Sequence, residues 1–241
     1  MCSLEKRGNI FFLTLTGEGE NRLNPNLIAS IRSSLAVVRQ QSTPGTVLVT
    51  SGQGKYFCYG FDLAWAQANS DEKHSTADRL YQMVDLFKPL VSDLISLPIP
   101  TIAAVTGHAV AAGMALAISH DYIVMRSDRA VFYMSELEVG LSIPDYFTEL
   151  FRSKIGSPGK RRDVLLKAAK VKAEEAAAMG LIESAHDSVE ETMEAAVRMG
   201  EELAKRGWKG EVYSEIRKGL YPELCGLFGL ATKKVIALPR L

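Results

Sequence analysis

Hydrophobic positions along the chain alternate between two periods. Short apolar runs of strand length lie at 10–16, 46–50, 101–105, 122–126 and 130–134. Apolar residues at helical spacing follow the cap signals Asn24, Asp62 and Ser157, and recur at 163–169, 173–179, 189–205 and 212–220. The repeated order of strand, strand and helix predicts an α/β fold built as a spiral of ββα units. We predict a core domain at 1–185 and a helical C-terminal region at 186–241.

In the stretch from Thr101 to Ser119, the hydrophobic pattern changes midway from that of a strand to that of a helix. The strand at 101–105 is broken by Gly107, and the small residues from His108 onward predict a helix that packs close to its neighbours. The first N–H groups of such a helix suit negative charge, although a purely structural buried helix is the alternative. The apolar part, 102–118, is interrupted and shorter than the roughly 20 residues that span a bilayer, so we expect no membrane span.

A second strand-to-helix turn, or corner, lies earlier in the chain than the stretch 101–119. Asp62 is placed to cap a helix that begins at Leu63, which leaves the backbone N–H groups around Gly60 and Phe61 at a strand-to-helix turn.

Composition narrows the function classes. Lys+Arg and Asp+Glu number 28 each in 241 residues, so charge does not point to nucleic acid or to an anionic membrane surface. Cys2, Cys58 and Cys225 lie far apart, which predicts unpaired thiols and no metal cluster. The N-terminus has no signal-peptide pattern, so we do not expect secretion. The C-terminal Pro239-Arg240-Leu241 is similar to a peroxisomal address.

Segments at 57–63, 100–113, 136–144 and 171–182 together resemble the crotonase (enoyl-CoA hydratase/isomerase) superfamily, in order and spacing, over about residues 8 to 200. The short third segment and the C-terminal tripeptide are most similar to the plant peroxisomal Δ3,Δ2-enoyl-CoA isomerases. The resemblance implies a crotonase-like spiral in which two backbone N–H donors, on Phe61 and Ala112, stabilise the oxyanion of a thioester. It also implies substrate contacts at Tyr59, Gly60, Asp62, Leu63 and Ser135.

The resemblance places the catalytic carboxylate at Glu136, directly after an apolar strand where burial would raise its pKa. Hydratases of the family carry a further glutamate at the position of Ala115, so we expect poor activation of water and a shuttle of one proton from C2 to C4. Glu138 is the competing carboxylate. His108 is expected to be structural and satisfied by hydrogen bonds.

These observations predict a Δ3,Δ2-enoyl-CoA isomerase of fatty acid β-oxidation, located in the peroxisome. We expect no cofactor, since coenzyme A is part of the substrate, and no metal. From the family we expect a homotrimer or a dimer of trimers, with the C-terminal region serving oligomer contacts and targeting, and an import receptor that reads the C-terminal tripeptide. The alternatives are another crotonase reaction, hydration or thioester hydrolysis, and a non-catalytic acyl-CoA-binding module.

Overall fold

The computed structural model of the protein describes residues 1–17 and 19–236. Within these residues the strands are β1 Cys2–Arg7, β2 Ile10–Leu15, β3 Val47–Gly52, β4 Tyr56–Cys58, β5 Thr101–Val105, β6 His108–Val110, β7 Tyr122–Arg126, β8 Val131–Tyr133, β9 Val171–Lys172 and β10 Ser184–His186. The helices are α1 Pro25–Gln41, α2 Leu63–Ala68, α3 Thr76–Ile95, α4 Ala112–Ile118, α5 Asp145–Lys154, α6 Pro158–Leu166, α7 Ala173–Ala178, α8 Val189–Lys205, α9 Gly210–Leu220 and α10 Pro222–Leu227.

The strands form two sheets that share the successive turns of a spiral. The larger sheet has the order β1-β2-β3-β5-β7-β10 and the smaller one β4-β6-β8-β9. Each turn of the chain gives one strand to each sheet, first β3 and β4, then β5 and β6, then β7 and β8. Equivalent strands of successive turns pair in parallel. The predicted α/β spiral of ββα units is therefore confirmed.

Apolar side chains cover both faces of the larger sheet. Val47 and Val49 of β3 point to one face and pack with Ala196 of α8, whereas Leu48 belongs to the main core that includes α1, α3 and α4. Burial on both faces explains why β3 and β5 are continuous apolar runs. Helix α8 covers 189–205 as predicted, and it packs against the sheet although it lies beyond residue 185. The division at 185/186 stays a prediction.

The C-terminal region is also tied to the spiral by a buried ion pair. Arg217 of α9 donates to both carboxylate oxygens of Asp121, each at 2.6 Å, and to the carbonyl oxygens of Leu97 and Ile99, each at 2.6 Å. These bonds satisfy a guanidinium group that is almost fully buried. Helix α9 is thereby held against the segment that leads into β5.

Two helix predictions were wrong in their bounds. The small residues from His108 onward do not begin a helix, because 108–110 pair with β4 and β8 as strand β6, and α4 starts only at Ala112. The helix predicted at 163–169 begins at Pro158, directly after the confirmed cap Ser157, and ends before Ala168, whose φ is 47°. Strand β1 and helix α5 were not predicted at all.

Candidate active site

Three strand ends meet at one edge of the smaller sheet. Because β4, β6 and β8 are parallel neighbours, their C-terminal ends lie side by side. The chain leaves β4 into Tyr59–Phe61, leaves β6 into Ala111 and Ala112, and leaves β8 into Ser135 and Glu136. The two predicted donor corners and the predicted carboxylate therefore belong to the same edge.

The first corner is held by a short parallel bridge between Leu23 and Phe61. Leu23 donates to the Gly60 carbonyl at 2.8 Å, and Asp62 donates to the Leu23 carbonyl at 3.1 Å. Both bonds use the neighbours of Phe61, so its own N–H faces away from the bridge and has no acceptor among the described residues. Its ring packs edge-on against Phe87, with the ring centroids 5.7 Å apart. Phe61 thus anchors the corner in the core while its backbone N–H stays free.

The second corner turns on a strained alanine. Ala111 has φ 53° and ψ −125°, a conformation in which a Cβ atom is disfavoured, and its N–H donates to the Tyr133 carbonyl at 2.7 Å. Helix α4 begins at the next residue, so Ala112 has helical dihedrals and its N–H has no acceptor within residues 1–17 and 19–236. Ala112 therefore presents a free backbone donor at the start of α4.

Two glycines allow the corners to approach each other. A Cβ atom on Gly60 would lie 2.9 Å from the Ala111 Cβ, 3.0 Å from the Val110 carbonyl oxygen and 3.4 Å from the Ala112 nitrogen. A Cβ atom on Gly113 would lie 2.1 Å from the Cys58 carbonyl oxygen. The backbones after β4 and β6 are thus in direct contact, and the Ala112 N–H lies beside Gly60.

Glu136 is half-buried in the turn that follows β8. Its carbonyl accepts from Leu141 at 2.9 Å, whereas its buried Oε2 has no hydrogen-bond partner among the described residues. Burial raises the pKa of this carboxyl group from 4.5 to about 7. A carboxyl group with such a pKa and an unpaired oxygen can both accept and return a proton near neutral pH.

Glu138 differs from Glu136 in both exposure and partners. The backbone turns after the strand, with Glu138 and Val139 donating to the Ser135 carbonyl at 3.0 and 3.2 Å. The exposed Glu138 carboxylate accepts a hydrogen bond from the Tyr133 hydroxyl, and this bond raises the pKa of Tyr133 to about 12. Glu138 is therefore already paired at the surface.

The remaining residues predicted to contact substrate have mixed environments. Tyr59 lies half-buried beside the first corner, and the Arg22 guanidinium, which the sequence did not single out, sits over its ring with Cζ 4.3 Å from the centroid. Asp62 caps α2 by accepting from Trp65 at 2.9 Å. Leu63 begins that helix and is half-buried.

His108 is not part of this edge. It lies at the start of β6, opposite the end that carries Ala112, and its ring faces Tyr56 with the centroids 5.4 Å apart. Burial, together with Lys55 and Arg129, lowers its pKa. The prediction that hydrogen bonds satisfy it was wrong, because the buried Nδ1 has no partner in the part of the chain that the structure describes.

Ala115 is the residue that the resemblance aligns with the further glutamate of hydratases. It is fully buried in the first turns of α4, and its carbonyl accepts from the Ser119 hydroxyl at 2.7 Å. A cavity of about 550 Å³ is bounded in part by Glu136. Its lining includes the aliphatic side chains Leu137, Leu141, Ile143, Leu165 and Leu166 and the arginines Arg152, Arg161 and Arg162.

Two features are absent from residues 1–17 and 19–236. Neither a cluster of three or more His, Cys, Asp or Glu side chains suited to a metal ion nor a helix long and apolar enough to cross a membrane is present there.

Comparison with known proteins defines the class. A family model described as enoyl-CoA hydratase/isomerase matches residues 5–211, so the chain belongs to the enoyl-CoA hydratase/isomerase family. A probable enoyl-CoA hydratase from Mycobacterium tuberculosis has the same fold, with a TM-score of 0.83 at 21% identity over 95% of this chain and 91% of that one.

Among named relatives, the chain is 55% identical to "Enoyl-CoA delta isomerase 2, peroxisomal" of Arabidopsis thaliana, over 100% of both chains. It is 50% identical to "Enoyl-CoA delta isomerase 1, peroxisomal" of the same plant, over 93% of this chain and 91% of that one. The predicted likeness to plant peroxisomal isomerases is confirmed.

Proposed function

We propose that this protein is a Δ3,Δ2-enoyl-CoA isomerase that converts 3-enoyl-CoA to trans-2-enoyl-CoA in the β-oxidation of unsaturated fatty acids. The observation that carries the proposal is that the half-buried Glu136, whose Oε2 has no hydrogen-bond partner among the described residues, lies at the same strand-end edge as the unpaired N–H groups of Phe61 and Ala112. The relatives named as enoyl-CoA delta isomerases support the same reaction.

The reaction requires one proton carrier. The Glu136 carboxylate takes a proton from C2, and the electron pair of that C–H bond moves toward the thioester carbonyl, which becomes an oxyanion. The N–H groups of Phe61 and Ala112 donate to this oxygen, each stabilising it by about 3–4 kcal/mol. Glu136 then gives the proton to C4, which binds it with the electron pair of the C3–C4 double bond. The electron pair between C1 and C2 of the dienolate moves to form the C2–C3 double bond, and the oxyanion returns to a carbonyl.

The surroundings of Glu136 favour isomerisation over hydration. The methyl group of the buried Ala115 cannot hold or deprotonate a water molecule at the place where a second carboxylate would be needed. The partly aliphatic cavity beside Glu136 suits a hydrocarbon chain beyond C4. We propose that no cofactor takes part, because the coenzyme A group arrives with the substrate.

The proposal extends to the location and the assembly of the protein. The protein acts in the peroxisome, as two relatives named peroxisomal indicate. The proposed import receptor reads Pro239-Arg240-Leu241, which lies outside the described residues. We propose a homotrimer or a dimer of trimers, consistent with the exposed Trp208, Ile216 and Leu220 in the C-terminal region.

The test compares two reactions on the purified protein. Isomerisation of cis- and trans-3-hexenoyl-CoA is followed by the absorbance of the conjugated product, and hydration of crotonyl-CoA by its loss. We expect isomerisation to exceed hydration by at least about 10²-fold, the usual contribution of one positioned acid or base. Hydration at an equal rate would contradict the proposal and indicate a hydratase. Release of free coenzyme A would indicate a thioesterase, and binding without turnover would indicate an acyl-CoA-binding module.

A further inference from the structure

The corner that carries the Phe61 N–H is held in place by hydrogen bonds to another segment of the chain. Outside the Leu23–Phe61 bridge, it is attached to the segment 19–24 by the Tyr59 N–H, which donates to the Glu20 carbonyl at 3.0 Å. Asn24, the cap of α1, donates to the Asp62 carboxylate at 3.2 Å. The direction of the Phe61 N–H therefore depends on where segment 19–24 lies.

Asn21 fixes that segment from the other side. Its side chain is 1% exposed, and its Nδ2 lies 3.1 Å from the Gln53 carbonyl oxygen, 2.9 Å from that of Tyr56 and 3.2 Å from that of Phe57. These carbonyls belong to the turn before β4 and to β4 itself, the strand that leads into Gly60 and Phe61. One amide group thus joins segment 19–24 to the strand that carries the donor corner.

The geometry points to Asn21 as a positioning residue, which aims the Phe61 N–H at the thioester oxygen through β4 and segment 19–24. This inference rests on the proposed function and adds to it a residue that does not touch the substrate.

Both the side chain and the backbone of Asn21 suit this role. Its φ is 50°, a left-handed conformation that asparagine and glycine adopt more readily than other residues. Its NH₂ group supplies two donors to three surrounding carbonyl oxygens, whereas its buried Oδ1 has no hydrogen-bond partner among the described residues. Aspartate would have the same shape but no donor, so it would set an anion against three carbonyl dipoles. The amide is therefore the part of Asn21 that holds β4.

Asn21→Gly isolates the contribution of the amide, because glycine tolerates the positive φ and removes only the side chain. The matched control is Asn69→Gly, which removes an exposed amide that donates to the Trp65 carbonyl at 2.8 Å at the end of α2. Both variants lose one asparagine amide bound to backbone carbonyls. They differ in whether that amide supports the donor corner.

The experiment measures both turnover and the infrared frequency of the bound thioester carbonyl, which a general loss of stability would not change together. In turnover of 3-hexenoyl-CoA, we expect Asn21→Gly to lower kcat about 10–100-fold with KM within about threefold, because a misaimed donor weakens the transition state more than the ground state. In isotope-edited infrared spectra of bound hexanoyl-CoA, which does not react, the thioester carbonyl should be shifted to lower frequency in the wild type and less so in Asn21→Gly. Asn69→Gly should match the wild type in both.

An unchanged carbonyl frequency and a kcat within twofold of the wild type in a folded Asn21→Gly protein would overturn the inference. If that variant does not fold, Asn21→Ser, which keeps one donor, should give an intermediate carbonyl shift, and a wild-type shift would overturn the inference equally. A failure of the proposed function can be told apart from a failure of this inference. In the former case the wild type would lower the carbonyl frequency of hexanoyl-CoA but would not isomerise 3-hexenoyl-CoA. In that case the carbonyl frequency alone still decides the role of Asn21.

Discussion

Gly60 offers the sharpest test of the contact between the two donor corners. An alanine there must place its Cβ 2.9 Å from the Ala111 Cβ and 3.0 Å from the Val110 carbonyl oxygen. Carbon atoms prefer separations of about 3.5–4.0 Å, so the corners must move apart by about 0.5–1 Å. A displacement of this size at an active site lowers turnover about 10²-fold, which corresponds to about 2.7 kcal/mol of transition-state stabilisation.

The backbone cost of Gly60→Ala must be separated from the effect on the corners. Gly60 has φ 81°, where any L-residue is strained by about 1–2 kcal/mol. Gly8 has φ 57° in the turn between β1 and β2, and a Cβ there would meet nothing within 4 Å. Gly8→Ala therefore has the backbone strain without the displacement.

The assay is steady-state isomerisation of 3-hexenoyl-CoA by both variants, with thermal unfolding as the measure of stability. We expect both to lose some stability, and only Gly60→Ala to lose turnover. The reasoning is refuted if a folded Gly60→Ala protein turns over as fast as Gly8→Ala, because the corners would then not need their close approach.

Of four further predictions, two concern Glu136, one concerns the methyl group of Ala115 and one concerns the C-terminus. Because Glu136 acts as a carboxylate and burial raises its pKa to about 7, kcat/KM should rise with pH and level off above about 7; a profile flat from pH 6 to 8 would contradict this. Because this pKa is raised from 4.5, the folded state holds the proton more tightly than the unfolded state, and the free energy of unfolding should fall as the pH rises from about 4.5 to 7. Urea titration should show a smaller fall in Glu136→Gln than in the wild type. Ala115→Glu should raise hydration of crotonyl-CoA above the wild-type level and slow isomerisation, since a second carboxylate can activate water but crowds the acyl chain and couples to Glu136; unchanged rates of both would count against the role of the methyl group. Deletion of Pro239–Leu241 should leave a fluorescent fusion in the cytosol, whereas the intact chain should enter peroxisomes; import of both would remove the tripeptide as the signal.

Local signals in the sequence were sufficient for many elements of the fold. The caps Asn24, Asp62 and Ser157 act on the residues just after them, so they could be assigned from neighbours in the chain. Helix α8 matched its predicted bounds because its caps and its apolar stripe are both local. The helix predicted from His108 failed because pairing with two distant strands outweighs the helix propensity of small residues.

The candidate site likewise combines features that the sequence predicts with features that depend on distant residues. The family resemblance singled out Glu136, Phe61 and Ala112 as candidates, but it gave no sign of what separates Glu136 from Glu138, which is burial of the first and pairing of the second with Tyr133. Asn21 gave no signal, because an asparagine in a polar turn is ordinary and its three acceptors lie more than thirty positions away.

The central claim is that one carboxylate, Glu136, carries the proton from C2 to C4. The most direct measurement is kcat for 3-hexenoyl-CoA in Glu136→Gln beside Glu138→Gln, with hexanoyl-CoA binding measured on both. We expect Glu136→Gln to lower kcat about 10²–10⁴-fold with binding nearly unchanged, and Glu138→Gln to stay within about threefold of the wild type. A Glu136→Gln protein that keeps half of its turnover, or a larger loss in Glu138→Gln, would contradict the account.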